Sequence, residues 1–180
     1  MLNITVPATE RFIEDTDEFF TVKETHLQLE HSLVSLSKWE SKWCKPFISK
    51  NDKSVEETLD YIKCMTITQN VDPNVYLCLT QQNFKEINDY IDAPMTATWF
   101  NERNKETGKK EIVTAEIIYY WMISFNIPFE CQKWHLNRLL TLVRVCNLKS
   151  QPPKKMSLRE TMESNDALNE ARRKACHSKG

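Results

Sequence analysis

The chain has 180 residues, 41% of them hydrophobic, enough for one sizeable core and at most an appended tail. A formal net charge of −1 gives a whole-chain field that favours neither nucleic acid nor acidic substrates. With only Gly108 and Gly180, the chain has no room for a dinucleotide fingerprint, a P-loop or a nucleophile elbow, all of which need closely spaced glycines.

The charge is nevertheless uneven. Residues 1–31 carry seven acids against two bases, and residues 149–180 carry eight bases against four acids. That polarity suggests a basic arm or a head-to-tail contact between copies. The six cysteines stand singly, and the chain begins without a charged-then-apolar leader. Both features read as free thiols serving as small hydrophobes in a reducing cytoplasm.

In chain order, residues 2–6 and 11–14 are short strand candidates, DTDE at 15–18 is a turn, and residues 19–22 follow as a strand. HLQLEH then alternates, with Leu27 and Leu29 on one face and His26, Gln28 and Glu30 on the other. From Ser32 the period becomes helical. LVSLSKWESKW places Leu33, Leu36, Trp39 and Trp43 along one side. Ser54 and Glu57 form a capping box ahead of Leu59, Ile62 and Met65. Asp72-Pro73 starts a short helix through Leu79, and Thr80 caps the next, with Phe84, Ile87 and Ile91 as its stripe.

The polar run NERNKETGKK contains the internal glycine, so residues 95–100 and 111–113 are expected to flank an exposed β-hairpin tip. Thr114 should cap a helix through Phe125, and after the Asn-Ile-Pro break a long helix should run from about Phe129 to Leu148. That last helix is apolar over most of its circumference, which predicts burial on several sides with Trp134 at the centre. Only 13 uncharged residues separate Glu116 from Glu130, short of the roughly 20 that a membrane span requires.

The expected fold is α+β and mostly α-helical. Residues 1–31 form a β segment packed on a helical core domain of residues 32–150, which has a central helical hairpin and an inserted β-hairpin. A basic helical tail at 151–180 follows Pro152-Pro153.

Candidate chemical sites are sparse. On one continuous helix Cys131 and His135 would share a face, but Cys146 would lie about 16 Å from His135, too far to complete a metal site. Packing is the better reading, with no metal and no cofactor. His26 and His31, near Glu24 and Glu30, resemble an acid–base pair on paper. An exposed strand face without a nucleophile suits them better as solvated polar residues. WHLNRLL and the basic tail hint at nucleic-acid binding, yet leucines occupy positions where a reading helix needs polar groups. Arg138, between Trp134 and Leu142, either stacks on Trp134 or pairs with Glu116 or Glu130, or else serves as a contact for a partner. The candidate partner-binding residues are Trp39, Trp43, Arg138, Lys154, Lys155, Arg159, Arg172, Arg173 and Lys174.

Several blocks carry a resemblance: LEHSLVSLSKWESKWCKPF, DAPMTATWF, VTAEIIYYW, IPFECQKWHLNRLLTLVRVCN and LNEARRKA. Together they resemble the tail assembly chaperones of long-tailed bacteriophages, over residues 29–180. The resemblance implies a non-enzymatic factor in the host cytoplasm, absent from the finished virion. Such a factor coats the tape measure protein, keeps it soluble and recruits tail-tube subunits, with self-association possible and no membrane or catalytic residue involved. The alternatives are a structural component of the phage particle, such as a head–tail connector or minor tail protein, and, behind it, a nucleic-acid-binding regulator.

Overall fold

In a computed structural model of the chain, strands β1 (Leu2–Val6), β2 (Thr9–Ile13), β3 (Glu18–Val22) and β4 (Thr25–Leu29) open the fold at the alternating segments. The structure describes residues 1–13, 18–49, 53–100 and 112–151, then 162, 165–166, 168–170 and 172–173. The chain divides into two compact units, Met1–Cys146 and Asn147–Gly180.

The strands pair as a nested antiparallel hairpin. β1 runs against β4 with Ile4 opposite Leu27, and β2 runs against β3 with Thr9 opposite Val22. The ladder breaks between them, where Pro7 and Ala8 lie opposite Lys23 and Glu24. Proline has no amide hydrogen to donate there. Ile4, Val6, Leu27 and Leu29 are buried, so one face of β1 and β4 forms a core wall. The free edge of β4 is covered as well. The Glu30 amide donates to the Met65 carbonyl, the Ile67 amide donates to the Gln28 carbonyl, and Leu29 bridges Thr66. An edge left open would invite pairing with another chain.

Helix α1 (Leu33–Trp43) is capped by the Ser32 hydroxyl, which accepts from the Ser35 amide. It ends on Cys44 in the left-handed region at φ 52°. Helix α2 (Val55–Met65) opens with the expected capping box between Ser54 and Glu57. A 3-10 helix (Pro73–Cys78) starts at Asp72, whose side chain accepts from the Asn74 amide. Helix α3 (Gln81–Asp92) is capped reciprocally by Thr80 and Asn83. These elements and β1 and β4 share one core cluster, into which Trp39 projects from α1.

A second cluster lies on the other side of α1. Leu33 and Leu36 meet Ala115, Ile118 and Met122 of α4 (Ala115–Ser124) and Leu136, Leu139 and Val143 of α5 (Leu136–Ser150). Helix α1 is therefore the shared wall between the two clusters. Thr114 precedes α4 as expected, but its side chain makes no capping bond. The carboxylate of Glu40 from α1 takes that role: Oε2 accepts from the Ala115 amide and Oε1 from the Phe47 amide, both at 2.7 Å. Glu40 is buried, and these charge-assisted bonds satisfy it.

Three expectations change. The helix expected from Phe129 starts at Leu136 instead. Phe129–Lys133 is a 3-10 turn, Trp134 is extended, and His135 pairs with Ser32 in a β-bridge while the Leu136 amide donates to the His31 carbonyl at 2.7 Å. Backbone engaged in a bridge cannot also continue a helix. Consequently Trp134 is only half-buried, at the margin of the second cluster, and α5 buries one stripe rather than most of its circumference. Lastly, residues 95–100 and 112–113 form no strand, so the expected hairpin has no paired flanks. Its tip at 101–110 and the flanking Glu111 lie outside the described residues.

Candidate functional site

A concentration of buried polar groups sits where the end of β4, α2, α3 and the start of α5 meet. His31 is 3% exposed and shares a 2.6 Å hydrogen bond between its Nδ1 and the Tyr61 hydroxyl. Its ring meets that of His135 edge-on at 5.1 Å. The tautomer of His135 follows from its partners. Nε2–H donates to the Tyr90 carbonyl at 2.9 Å, and Nδ1 accepts from the Asn137 amide at 3.3 Å. Because the His135 carbonyl also accepts from the Leu139 amide, this residue acts as the N-cap of α5. Asn137 donates to the carbonyls of Ile91 and Ala93, tying α5 to the end of α3.

A hydrogen-bonded extension runs outward from this cluster. The Tyr90 hydroxyl donates to Glu30 Oε1 at 2.7 Å, and the α-amino group of Met1 lies 3.0 Å from Glu30 Oε2. Burial, with a contribution from His135, pushes the His31 imidazole down to about 4. Burial also lowers His135, against the opposing bond to the Tyr90 carbonyl, and raises the Tyr61 hydroxyl well above the ordinary phenol range. At neutral pH the cluster thus holds two uncharged imidazoles and two protonated phenols. Such an arrangement fastens four elements together through satisfied bonds.

This corrects the placement of His31 on a solvated face. The alternation itself carried the signal, because residue 31 has the parity of Leu27 and Leu29. His26 does lie at the surface, bonded to Thr5 Oγ1 at 2.9 Å and 3.7 Å from Glu24. Among the described residues no group of three or more His, Cys, Asp or Glu side chains could hold a metal ion. Cys131 and His135 are not on one helix.

The candidate partner-binding residues separate. Trp39 is 1% exposed, stacked on Trp43 and donating its indole N–H to the Glu57 carbonyl, so it belongs to the core and not to a contact surface. Trp43 is half-buried and donates to Asp60 Oδ2 at 2.9 Å, with the ammonium groups of Lys42 and Lys45 each 5.9 Å from its ring. Lys42 pairs with Asp60 and Lys45 with Glu57. Burial works against ionised Asp60, but the hydrogen bonds from Lys42 and Trp43 hold its carboxyl below the usual range; the Lys45 hydrogen bond does the same for Glu57. Arg138 is exposed, with its guanidinium 4.1 Å from the Trp134 ring centre, which is the stacking arrangement among the alternatives the sequence left open. Arg172 and Arg173 are exposed and helical in the second unit. Lys154, Lys155, Arg159 and Lys174 lie outside the described residues.

One surface escaped the sequence reading. Helix α4 is apolar on nearly every side, yet it buries only the stripe of Ala115, Ile118 and Met122. On the opposite side Tyr120 and Ile123 are 66% and 61% exposed, next to Glu116, and exposed Phe129 follows the turn. Apolarity around the whole of AEIIYYWMIS is the sequence signal for it. Among the described residues no helix is long and apolar enough to cross a membrane. Comparison with protein-family models, curated proteins and solved structures finds no match.

Proposed function

We propose that this chain is a non-enzymatic tail assembly chaperone of a long-tailed bacteriophage, which keeps the tape measure protein soluble and brings tail-tube subunits to it. The observation that supports this reading is the outer face of α4. Tyr120 and Ile123 stand in water about one helical turn apart. A chaperone for a long helical protein needs an apolar strip that shields a partner's seam and later releases it. Apolar residues in rows on a helix suit that task, through the helix-in-groove type of contact. The phage character comes from the sequence blocks between residues 29 and 180.

Co-expression with the tape measure protein of the encoding phage tests the proposal. The expected result is a soluble complex, lost when Tyr120 and Ile123 are both replaced by glutamate while the melt of the free protein is unchanged. Mass spectrometry of purified virions should find the chain absent. Its presence in a few copies per particle would instead make it a structural component.

A further inference from the structure

A cavity of about 230 Å³ opens between α2 and α3. It is lined by Tyr61 and Ile62 from α2, by Phe84, Ile87 and Ile91 from α3, and by Phe47, with Tyr61, Ile62 and Ile87 the most deeply buried. Lys53, Thr58 and Asn88 add polar groups to the lining, Asn88 being exposed. The Lys53 ammonium lies 4.4 Å from the Phe47 ring centre. The Glu57 carboxylate, held below the usual range by its hydrogen bond from Lys45 and in smaller part by the charge of Lys53, lies beyond ion-pair distance of the Lys53 ammonium, as does every other carboxylate among the described residues. The apolar lining also continues outward. Val55, 75% exposed, precedes Thr58 and Ile62 at i, i+3 and i+7 on the same stripe of α2.

We propose that this cleft is a docking site for an amphipathic helix of a partner protein, one bulky apolar side chain entering the cavity and a neighbouring acidic residue meeting Lys53. Three observations select that occupant. The volume falls below the roughly 300–1,000 Å³ of pockets that hold drug-sized ligands, and suits a single anchoring side chain. The charged residue of the lining is a cation without an ion pair among the described residues, which favours an acid in the partner. The exposed Val55 gives a helix lying along α2 further apolar surface beyond the cavity. The site involves none of the α4 residues, so it stands or falls separately from the tape measure reading.

Two synthetic helical peptides test it, alike in apolar pattern with a central phenylalanine, one flanked by glutamates and the other by lysines. Binding is read by fluorescence anisotropy at low and high salt, and location by methyl resonances of the isoleucines. The acidic peptide should bind about fivefold more tightly than the basic one, as befits a solvent-exposed charge pair, and lose that margin in high salt. It should shift the methyls of Ile62, Ile87 and Ile91. Lys53→Glu should reverse the preference, and Asn88→Asp, at an exposed position of the lining, should weaken the acidic peptide without touching the apolar side chains. Equal binding of both peptides to the parent and to Lys53→Glu overturns the proposal. So does binding that leaves those methyls unmoved, or no binding at millimolar peptide. Decanoate shifting the same methyls while neither peptide does would assign the cleft to a small amphiphile and overturn it too.

Discussion

Lowering the pH from about 7.5 to about 5 should destabilise the fold through His31. The imidazole stands at about 4 in the folded chain against an ordinary 6.5. Between those values the unfolded chain binds more protons than the folded one. Stability is therefore complete above about 6.5, falls as the pH drops through that value, and stops falling once the folded group protonates near 4. Integrated from about pH 7.5 to about pH 5, the loss comes to about 2 kcal/mol. His135, also lowered, adds in the same direction, since a proton on its Nδ1 would remove the acceptor for the Asn137 amide. The groups facing the pair are Tyr61, the Tyr90 carbonyl and, farther out, Glu30 with the Met1 amine. Glu57 and Asp60 do not confuse the measurement. Their depressed carboxyls lose their contribution only below the ordinary values of 4.5 and 3.8. Urea unfolding followed by tryptophan fluorescence gives the midpoint at each pH. In His31→Gln, whose side chain does not titrate, the drop in midpoint should shrink to well under half of the parental drop. An equal drop in parent and variant, or none in the parent, would refute the reasoning.

Three further outcomes follow from the packing. Trp39→Ala should destabilise by about 3–5 kcal/mol by emptying a fully buried site, whereas Trp134→Ala, at a half-buried one, should cost about 1–2 kcal/mol; thermal melts of the two variants should rank in that order. Glu40→Gln leaves one carbonyl oxygen to serve the amides of Phe47 and Ala115, and should cost about 1.5–3 kcal/mol in urea unfolding, a midpoint equal to the parent's being the contrary result. Prolonged chelation should leave the melting curve unchanged, and elemental analysis should find no stoichiometric zinc.

The elements with local signatures were legible in the sequence. Ser54 and Glu57, Asp72 and Pro73, and Thr80 each announced a helix start that the structure contains, because a cap is chemistry between near neighbours. The strands were legible for a similar reason, alternation being a property of the strand itself. What failed was set by partners distant in the chain. Nothing in FECQKWH says that His135 will bridge Ser32, and its apolar spacing is compatible with a helix. Thr114 looked like a cap, but Glu40 is the residue that bonds Ala115. Trp39 was grouped with surface contacts because its indole is interface chemistry; its place between α1 and α2 rests on an acceptor at Glu57. The sequence shows that α4 is apolar all round but not which side stays uncovered, and the cleft left no local signal, since both are defined by what does not cover an apolar residue.

The carboxylate of Glu40 also has a bearing on the order in which the domain is made. It joins α1 to an amide 75 residues later in the chain. During synthesis α1 and its capping serine leave the ribosome well before α4 exists, and domains begin to form from the N-terminal side. Until then Oε2 of Glu40 has only water to accept from, while Oε1 can already accept from the Phe47 amide. Helix α4, whose own Thr114 supplies no capping bond, acquires its start from a residue already in place. Closing a loop of that length adds only logarithmically to the entropy opposing it, so the long wait is a matter of timing more than of stability. Every residue of the first cluster has accordingly been made while the Leu33–Leu36 side of α1 still lacks its partners on α4 and α5.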